Sequence, residues 1–231
     1  MHRRPHAANT TVATPARGWL LLGLTAALVG CDNVRYVEAF AFDEDVESVR
    51  IVADAGSVEV TRGDAVRVER AIRAPSRALE LEHSLVDGEL LLVARCTSLI
   101  PCAVDTRLDV PADVPIRVEL GDGDVWVTGV DSLDLALGEG TADVDVNGRV
   151  VAQVGAGEVR GRLGAGGVAR VTVGSGDIDL QVPGGPWQLD VTADALEVRG
   201  VQPDDDAIGD LDLLAPAGTV RLTGGDPVAA R

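Results

Sequence analysis

The chain has 231 residues and is strongly acidic, with 37 Asp and Glu against 20 basic residues and a formal net charge of −17 at pH 7. All 20 basic residues are Arg, since the sequence contains no Lys. Such a charge excludes nucleic acid as a partner and disfavours direct docking on anionic lipid. It suits a solvated surface that keeps the protein soluble.

The first thirty residues have the pattern of a secretory signal peptide. Arg3, Arg4 and Arg17 form a positive leader, and residues 18–30 are uncharged and rich in Leu and Ala. This apolar segment is shorter than the about 20 residues that cross a bilayer, but it matches the apolar region of a signal peptide. We therefore expect residues 1–30 to be removed, which leaves 17 Arg against 37 acidic residues in the mature chain.

The segment ends in Leu28-Val29-Gly30-Cys31, which resembles the lipobox of bacterial lipoproteins. The resemblance implies cleavage after Gly30 and acylation of Cys31, so that a lipid anchors the mature protein to a membrane. An ordinary secretory signal beside an incidental cysteine is the alternative interpretation. The aspartate that follows the cysteine, Asp32, resembles the signal that retains lipoproteins in the inner membrane of enteric bacteria. That sorting rule does not transfer safely between bacterial groups. The expected location is the bacterial cell envelope, on the periplasmic face or the cell surface, with the membrane undecided.

Cys96 and Cys102 are the other two cysteines, and they are six positions apart. Outside the cytoplasm such a pair is expected to be oxidised to a disulfide. Closing so short a loop contributes about 2 kcal/mol through chain entropy. A metal site is the rival interpretation, but His83 is the only histidine after residue 30 and no further cysteine is present to complete a ligand set.

A Gly-x-Gly pattern followed by alternating apolar and polar residues recurs in the C-terminal half. Its first glycines are Gly121, Gly138, Gly155, Gly164 and Gly174, so the steps are 17, 17, 9 and 10, and the last two add up to one period of 19. The alternation predicts short strands with one buried face, and the glycines allow sharp turns between them. Because such short strands are unstable alone, we expect them to stack about 4.8 Å apart into one elongated all-β domain with an aliphatic interior.

The segment Leu-Asp-Val-Pro-Ala-Asp-Val-Pro-Ile-Arg-Val at 108–118, followed by the glycine repeats, is similar to a widespread bacterial family of adhesin-like proteins. The likeness extends over about residues 45–225. It implies a single-domain right-handed β-helix-like solenoid, and it brings no catalytic residues. The expected organisation is a signal peptide at 1–30, the lipidated Cys31 with a tether and first strand at 31–45, and the repeat domain at 46–231. The uneven period and the cysteine pair depart from the family pattern.

The repeat pattern argues against several kinds of binding chemistry. Calcium-binding coils need a strict nine-residue step with a row of Asp, whereas only two steps here come near nine and their acid positions hold Glu158 and Gly167. The glycine turns lead into strands and not helices, which argues against nucleotide binding. We therefore expect no metal and no cofactor. Trp126 and Trp187 are either sugar-stacking platforms or, as is more common in strands, packing residues.

The resulting functional prediction is a lipid-anchored, non-catalytic envelope protein that acts as an adhesin-like or scaffold module. Its partners would be the membrane, through the lipid on Cys31, and a glycan or another envelope protein, through binding residues that the sequence does not identify. A polysaccharide-active β-helix enzyme is one alternative, because paired carboxylates are compatible with the composition. An envelope-stress sensing module is the other. A Ser-His-Asp set is not expected, since His83 is the single mature histidine and lies in the least regular segment of the sequence.

Overall fold

The structure is a computed structural model that describes residues 33–42, 45–75, 79–97 and 102–225. The predicted signal peptide, Cys31 and Asp32 lie outside the described residues. The fold is all-β, as the alternation predicts, and its eleven strands belong to one sheet. No helix in the described part is long and apolar enough to cross a membrane. The strands are β1 (Asn33–Ala41), β2 (Ser48–Arg62), β3 (Arg67–Pro75), β4 (Leu79–Val86), β5 (Glu89–Cys96), β6 (Ala103–Val110), β7 (Ile116–Leu163), β8 (Val168–Pro183), β9 (Gly185–Arg199), β10 (Val201–Pro203) and β11 (Asp210–Gly225).

Parallel pairing dominates the C-terminal two thirds of the sheet. The 48-residue strand β7 pairs in parallel with β2 on one side and with β8 on the other, and β11 pairs in parallel with both β8 and β9. Within β7, residues 17 positions apart are neighbours. For example, the backbone N–H of Thr141 donates to Oδ1 of Asp124 over 3.1 Å. Each 17-residue interval of the sequence repeat therefore brings the chain back beside the segment that precedes it.

Glycines form two columns at the corners of these strands. A Cβ atom added at Gly140 would overlap the carbonyl oxygen of Gly123, and the same relation continues along the column. The glycines that follow this rule are the second glycines of the repeats, Gly123, Gly140, Gly157 and Gly176, together with Gly218 of β11. The first glycines at 121, 138, 155 and 174 form the other column, whereas Gly164 contacts Asn147 at a different corner. The steps of 9 and 10 are thus parts of one 19-residue step.

The interior is filled by the inward-facing residues of the alternating pattern. Side chains at 125 and 127 in β7, at 178 and 180 in β8, and at 220 and 222 in β11 are buried in one continuous apolar cluster. These positions are Val, Ile or Leu, because backbones spaced about 4.8 Å apart leave room for aliphatic side chains above and below. Trp187 is the large exception; it is 3% exposed, and its indole N–H donates to the carbonyl of Pro183.

The strand order in space differs from the order along the chain at both ends. β2 lies between β6 and β7, although β6 follows β2 in sequence, and β11 lies between β8 and β9. At the N-terminal end the pairing becomes antiparallel, between β1 and β3, β3 and β6, and β4 and β5. Only the central strands therefore follow one another as the repeat predicts.

Cys96 and Cys102 form a disulfide with their Cα atoms 5.9 Å apart. The bond joins the end of β5 to the residue that precedes β6. β5 pairs with the first half of β2, and β6 pairs with its second half. Asp54, at the bend of β2 between these halves, accepts a hydrogen bond from the backbone N–H of Cys96 over 2.7 Å. The disulfide therefore holds two short strands in line against one long strand.

Candidate binding face around Trp126

One row of outward-facing residues runs across the sheet from β3 to β9, with one or more members on each strand along the way. Neighbouring strands place these residues side by side, because they are paired in the register of six strand pairs and by the 17-residue offset within β7. We call this set the charged row. Its members, in spatial order, are Glu69, Arg107, Glu59, Trp126, Asp143, Arg160, Asp179, Arg221 and Glu197.

Acidic and basic side chains alternate along the charged row. Arg107 lies 3.0 Å from Glu59 and 3.9 Å from Glu69. Arg160 is hydrogen-bonded to Glu158, which raises the pKa of its guanidinium, and the charges of Asp179 and Asp143 act in the same direction. Each exposed pair contributes little to stability alone, but the alternation avoids like charges on neighbouring strands, which are destabilising.

Trp126 interrupts this alternation. It lies between Glu59 and Asp143, at the position where the sequence of signs would place a cation. Its neighbours Val125 and Val127 are buried, whereas Trp126 itself is 43% exposed. Because side chains alternate between the two faces of a strand, the buried valines on either side of Trp126 mean that its indole points outward. Of the two tryptophans considered in the sequence, Trp126 is therefore the exposed one and Trp187 the packing residue.

A groove of about 490 Å³ begins at Trp126 and extends across β2 and β6 to β3. Polar side chains dominate its lining, which consists of Ser57, Glu59, Glu69, Ala71, Asp105, Arg107 and Trp126. The Ser57 hydroxyl donates to Oδ1 of Asp105 over 2.9 Å, and the Arg73 guanidinium donates to the same carboxylate over 2.8 Å and 2.7 Å. The groove thus has an aromatic end and a hydrogen-bonding end.

Other carboxylates on this face have structural partners. Asp109 accepts a hydrogen bond from the Thr61 hydroxyl, and Asp177 accepts one from the backbone N–H of Thr219, each over 2.7 Å. Within the described ranges, no group of three or more His, Cys, Asp or Glu side chains is arranged to hold a metal ion. The chemistry that this face offers is aromatic stacking, hydrogen bonding and charge pairing.

A second groove follows the column of first glycines on the other side of the corner. It is wide and shallow, about 930 Å³, and it is lined by Gly121, Gly138, Gly155 and Gly174 with small or apolar neighbours such as Ala136. Arg50 and Arg117 both donate to Glu119 at one end of it, over 2.8 Å and 2.9 Å. It carries no exposed aromatic ring among its lining residues.

A buried arginine near the N-terminal strands is a feature that the sequence interpretation missed. Arg70 is 1% exposed, and its guanidinium lies 3.3 Å from Oε1 of Glu38 and 3.1 Å from the carbonyl oxygen of Glu82. It also lies over the Phe40 ring, 5.6 Å from the ring centre. Burial lowers the pKa of Arg70, and Glu38 opposes that change. The sequence does contain a signal of this burial, because in an alternating strand residue 70 lies on the same face as the apolar residues at 66, 68 and 72.

Among solved structures, the chain resembles one described as a "putative cell adhesion protein" from Clostridium sporogenes, with 11% identity, a TM-score of 0.50, and coverage of 83% of this chain and 100% of that one. A "putative adhesin" from Parabacteroides merdae aligns over 80% of this chain and 95% of its own at 9% identity, but with a TM-score of 0.29. The first likeness shows a shared fold; the second carries no argument. No protein-family model and no curated protein matches the sequence.

Proposed function

We propose that this protein is a lipid-anchored, non-catalytic module of the bacterial cell envelope, which uses a β-helix-like solenoid for adhesin-type contacts. The 17- and 19-residue returns of the chain and the two glycine columns support the solenoid. The protein from Clostridium sporogenes that shares the fold is described as a "putative cell adhesion protein", and this description agrees with the proposed role.

The anchor would hold the N-terminal edge of the sheet close to the membrane. Strand β1 begins at Asn33, two residues after the lipobox cysteine Cys31. Two extended residues span at most about 7 Å. The lipid would therefore fix β1 near the bilayer surface, and the acidic surface of the mature chain would keep the rest of the domain in solvent.

The observation that carries the proposal is the composition of the face around the charged row. Its Arg and acidic side chains are spaced one strand apart, and they engage one another in ion pairs such as Arg107 with Glu59. A groove with an exposed tryptophan interrupts this regular surface. Such a face offers extended contact to a ligand, whereas a hydrolytic site requires an acid and a base that converge on one bond.

A binding screen tests the proposal. Residues 33–231, the chain without its proposed lipid anchor, are exposed to envelope glycans and envelope proteins, and bound ligands are then incubated at length and analysed by mass spectrometry. We expect saturable binding with the ligand recovered intact. Cleavage of a bound glycan would assign the protein to the polysaccharide-active enzymes instead, and absence of saturable binding to any component would contradict the adhesin-type role.

A further inference from the structure

We propose that the Trp126 groove binds an oligosaccharide with protonated amino groups, one ammonium group lying on the indole between Glu59 and Asp143. This inference rests on the proposed function, since it names the ligand class of an adhesin-type module. It follows from three features of the groove: its position in the charged row, the unpaired carboxylate beside Trp126, and its length.

The position of Trp126 in the charged row is the first feature. Asp179, the remaining internal acid of the row, has an Arg on both neighbouring strands. Glu59 and Asp143 each have an Arg on one side only, and they face each other across Trp126. They lie two strand spacings apart, about 10 Å between backbones. A cation on the indole would be within reach of both carboxylates and would restore the alternation of signs.

The charge state of the surrounding groups is the second feature. Arg107, the arginine that lines the groove, lies between Glu59 and Glu69. Arg160, on the far side of Asp143, is bound to Glu158. Asp143 itself makes no ion pair within 4.0 Å in the described part of the chain. The surface around the indole therefore has surplus negative charge, and an indole attracts cations through its ring face.

The length of the groove is the third feature, and it favours an oligosaccharide. From Trp126 on β7 the groove crosses β2 and β6 to β3, which is three strand spacings or about 14 Å. An isolated ammonium group would occupy only the indole end. A sugar chain would also place its apolar C–H face on the ring, and its hydroxyl groups would meet the Ser57 hydroxyl and the carboxylates of Asp105 and Glu69.

Calorimetric titration of the full mature lipoprotein in neutral detergent tests the assignment. The probes are a glucosamine trimer and its fully N-acetylated counterpart, compared in the same mildly acidic buffer, which keeps the amino groups of the glucosamine trimer protonated. We expect the glucosamine trimer to bind at least tenfold more tightly, and raised salt to weaken it. Equal affinity for the two trimers would overturn the proposal.

Three variants locate the site. Trp126→Ala should lower the affinity for the glucosamine trimer at least tenfold. Asp143→Asn should lower it several-fold and leave the N-acetylated trimer unaffected. Asp205→Asn, an equal change of charge in the exposed turn before β11, is the matched control and should have no effect. Equal losses in both Asn variants would indicate non-specific attraction to an acidic protein and would overturn the site.

Carbodiimide coupling provides a direct readout. The chain has no lysine, so its carboxylates couple to amines that the ligand brings. We expect adducts of the glucosamine trimer on Asp143 or Glu59, and adducts scattered over the acidic surface would contradict the site. Nα-acetyl-lysine methylamide, which presents a lysine ammonium group, serves as a competitor. If it competes as well as the trimer, the ligand of the groove is a lysine of a protein partner and not an amino sugar.

The outcomes also separate this inference from the proposed function. If the glucosamine trimer does not bind but another glycan or protein does, the amino-sugar site fails and the adhesin-type role stands. If the trimer binds at Trp126 and is then hydrolysed, the ligand class stands and the non-catalytic role fails.

Discussion

At the scale of single residues, burial separates side chains that are identical in sequence. Arg70 and Arg107 both lie in strands that alternate apolar and polar residues, on β3 and β6. Arg70 falls on the buried parity and needs Glu38, the carbonyl of Glu82 and the Phe40 ring to compensate for its lost hydration. Arg107 falls on the outer parity and is 70% exposed. Their contributions to stability should therefore differ.

Replacing each arginine with alanine tests this difference. Arg70→Ala leaves Glu38 and the Glu82 carbonyl without their donor and opens a cavity, so we expect a loss of about 3 kcal/mol in the free energy of unfolding. Arg107→Ala is the matched control and should cost less than about 1 kcal/mol. Urea unfolding followed by circular dichroism measures both. Similar values for the two variants would contradict the buried role of Arg70.

Tyr36 provides a residue-scale prediction about pH. Burial raises the pKa of its phenol above the ordinary 10.0, and the nearby Glu38 carboxylate acts in the same direction. The folded state thus favours the neutral phenol more than the unfolded state does. Its contribution to stability is complete below pH about 10 and is lost as the pH rises through the folded-state pKa.

Ultraviolet titration can measure this group directly, because Tyr36 is the single tyrosine of the chain. We expect tyrosinate absorbance to appear at higher pH in the folded protein than in urea. Tyr36→Phe should reduce the loss of stability above pH about 10. The pH dependence of stability near neutral pH should be unchanged. Coincident titration curves in the folded and unfolded states would show that the phenol is not shielded.

At the scale of the elements, glycine decides how closely neighbouring strands approach at the corners. Gly140 has a φ of 142° and its missing Cβ would occupy the space of the Gly123 carbonyl oxygen. Both conditions exclude other residues there, the first because L-residues avoid that backbone region and the second through direct overlap. The 17-residue repeat persists because each corner glycine contacts the preceding one.

Gly140→Ala should therefore cost at least about 2 kcal/mol, through the strained φ and the displaced Gly123 carbonyl. The control is Gly225→Ala, where an added Cβ meets no atom within 4 Å and the φ is not positive; that change should be close to neutral. Thermal unfolding of the two variants gives the comparison. A Gly140→Ala protein as stable as the parent would show that the glycine column is not required.

At the scale of the whole molecule, the proposed anchor and the sheet order would together determine how the binding face is presented. β1, which begins two residues after Cys31 in the sequence, is at one edge of the sheet. The charged row runs across the strands and away from that edge, with the Trp126 groove starting on β7 and extending toward β3. A ligand in the groove would therefore contact strands that are far apart in sequence but adjacent in space.

The anchor itself is tested by lipid labelling. In a bacterial host fed a labelled fatty acid, the parent chain should carry the label and partition into detergent, because the proposed acylation at Cys31 would provide the membrane attachment. Cys31→Ser should lose the label and move to the soluble fraction. Cys96→Ser is the control that keeps the lipobox, and its label should be unchanged. Labelling of Cys31→Ser would place the lipid elsewhere.

The charged row illustrates which parts of the site escape sequence reasoning. The sequence marks Trp126 as a candidate, because an aromatic residue among valines in a glycine-cornered strand is conspicuous. It does not mark the neighbours Glu59 and Asp143, since they lie 67 positions before Trp126 and 17 after it. The second distance follows from the repeat. The first depends on the insertion of β2 beside β7, for which no periodicity gives notice.

Local chemistry alone determined the all-β fold, the faces of the strands and the glycine corners, because side-chain alternation and the φ of glycine are properties of short segments. Tertiary structure decided which strands are neighbours at the two ends of the sheet, which tryptophan reaches solvent and which arginine is buried. These outcomes depend on long-range pairing, in which strands of similar pattern compete and the choice is made by total burial and hydrogen bonding and not by any single segment.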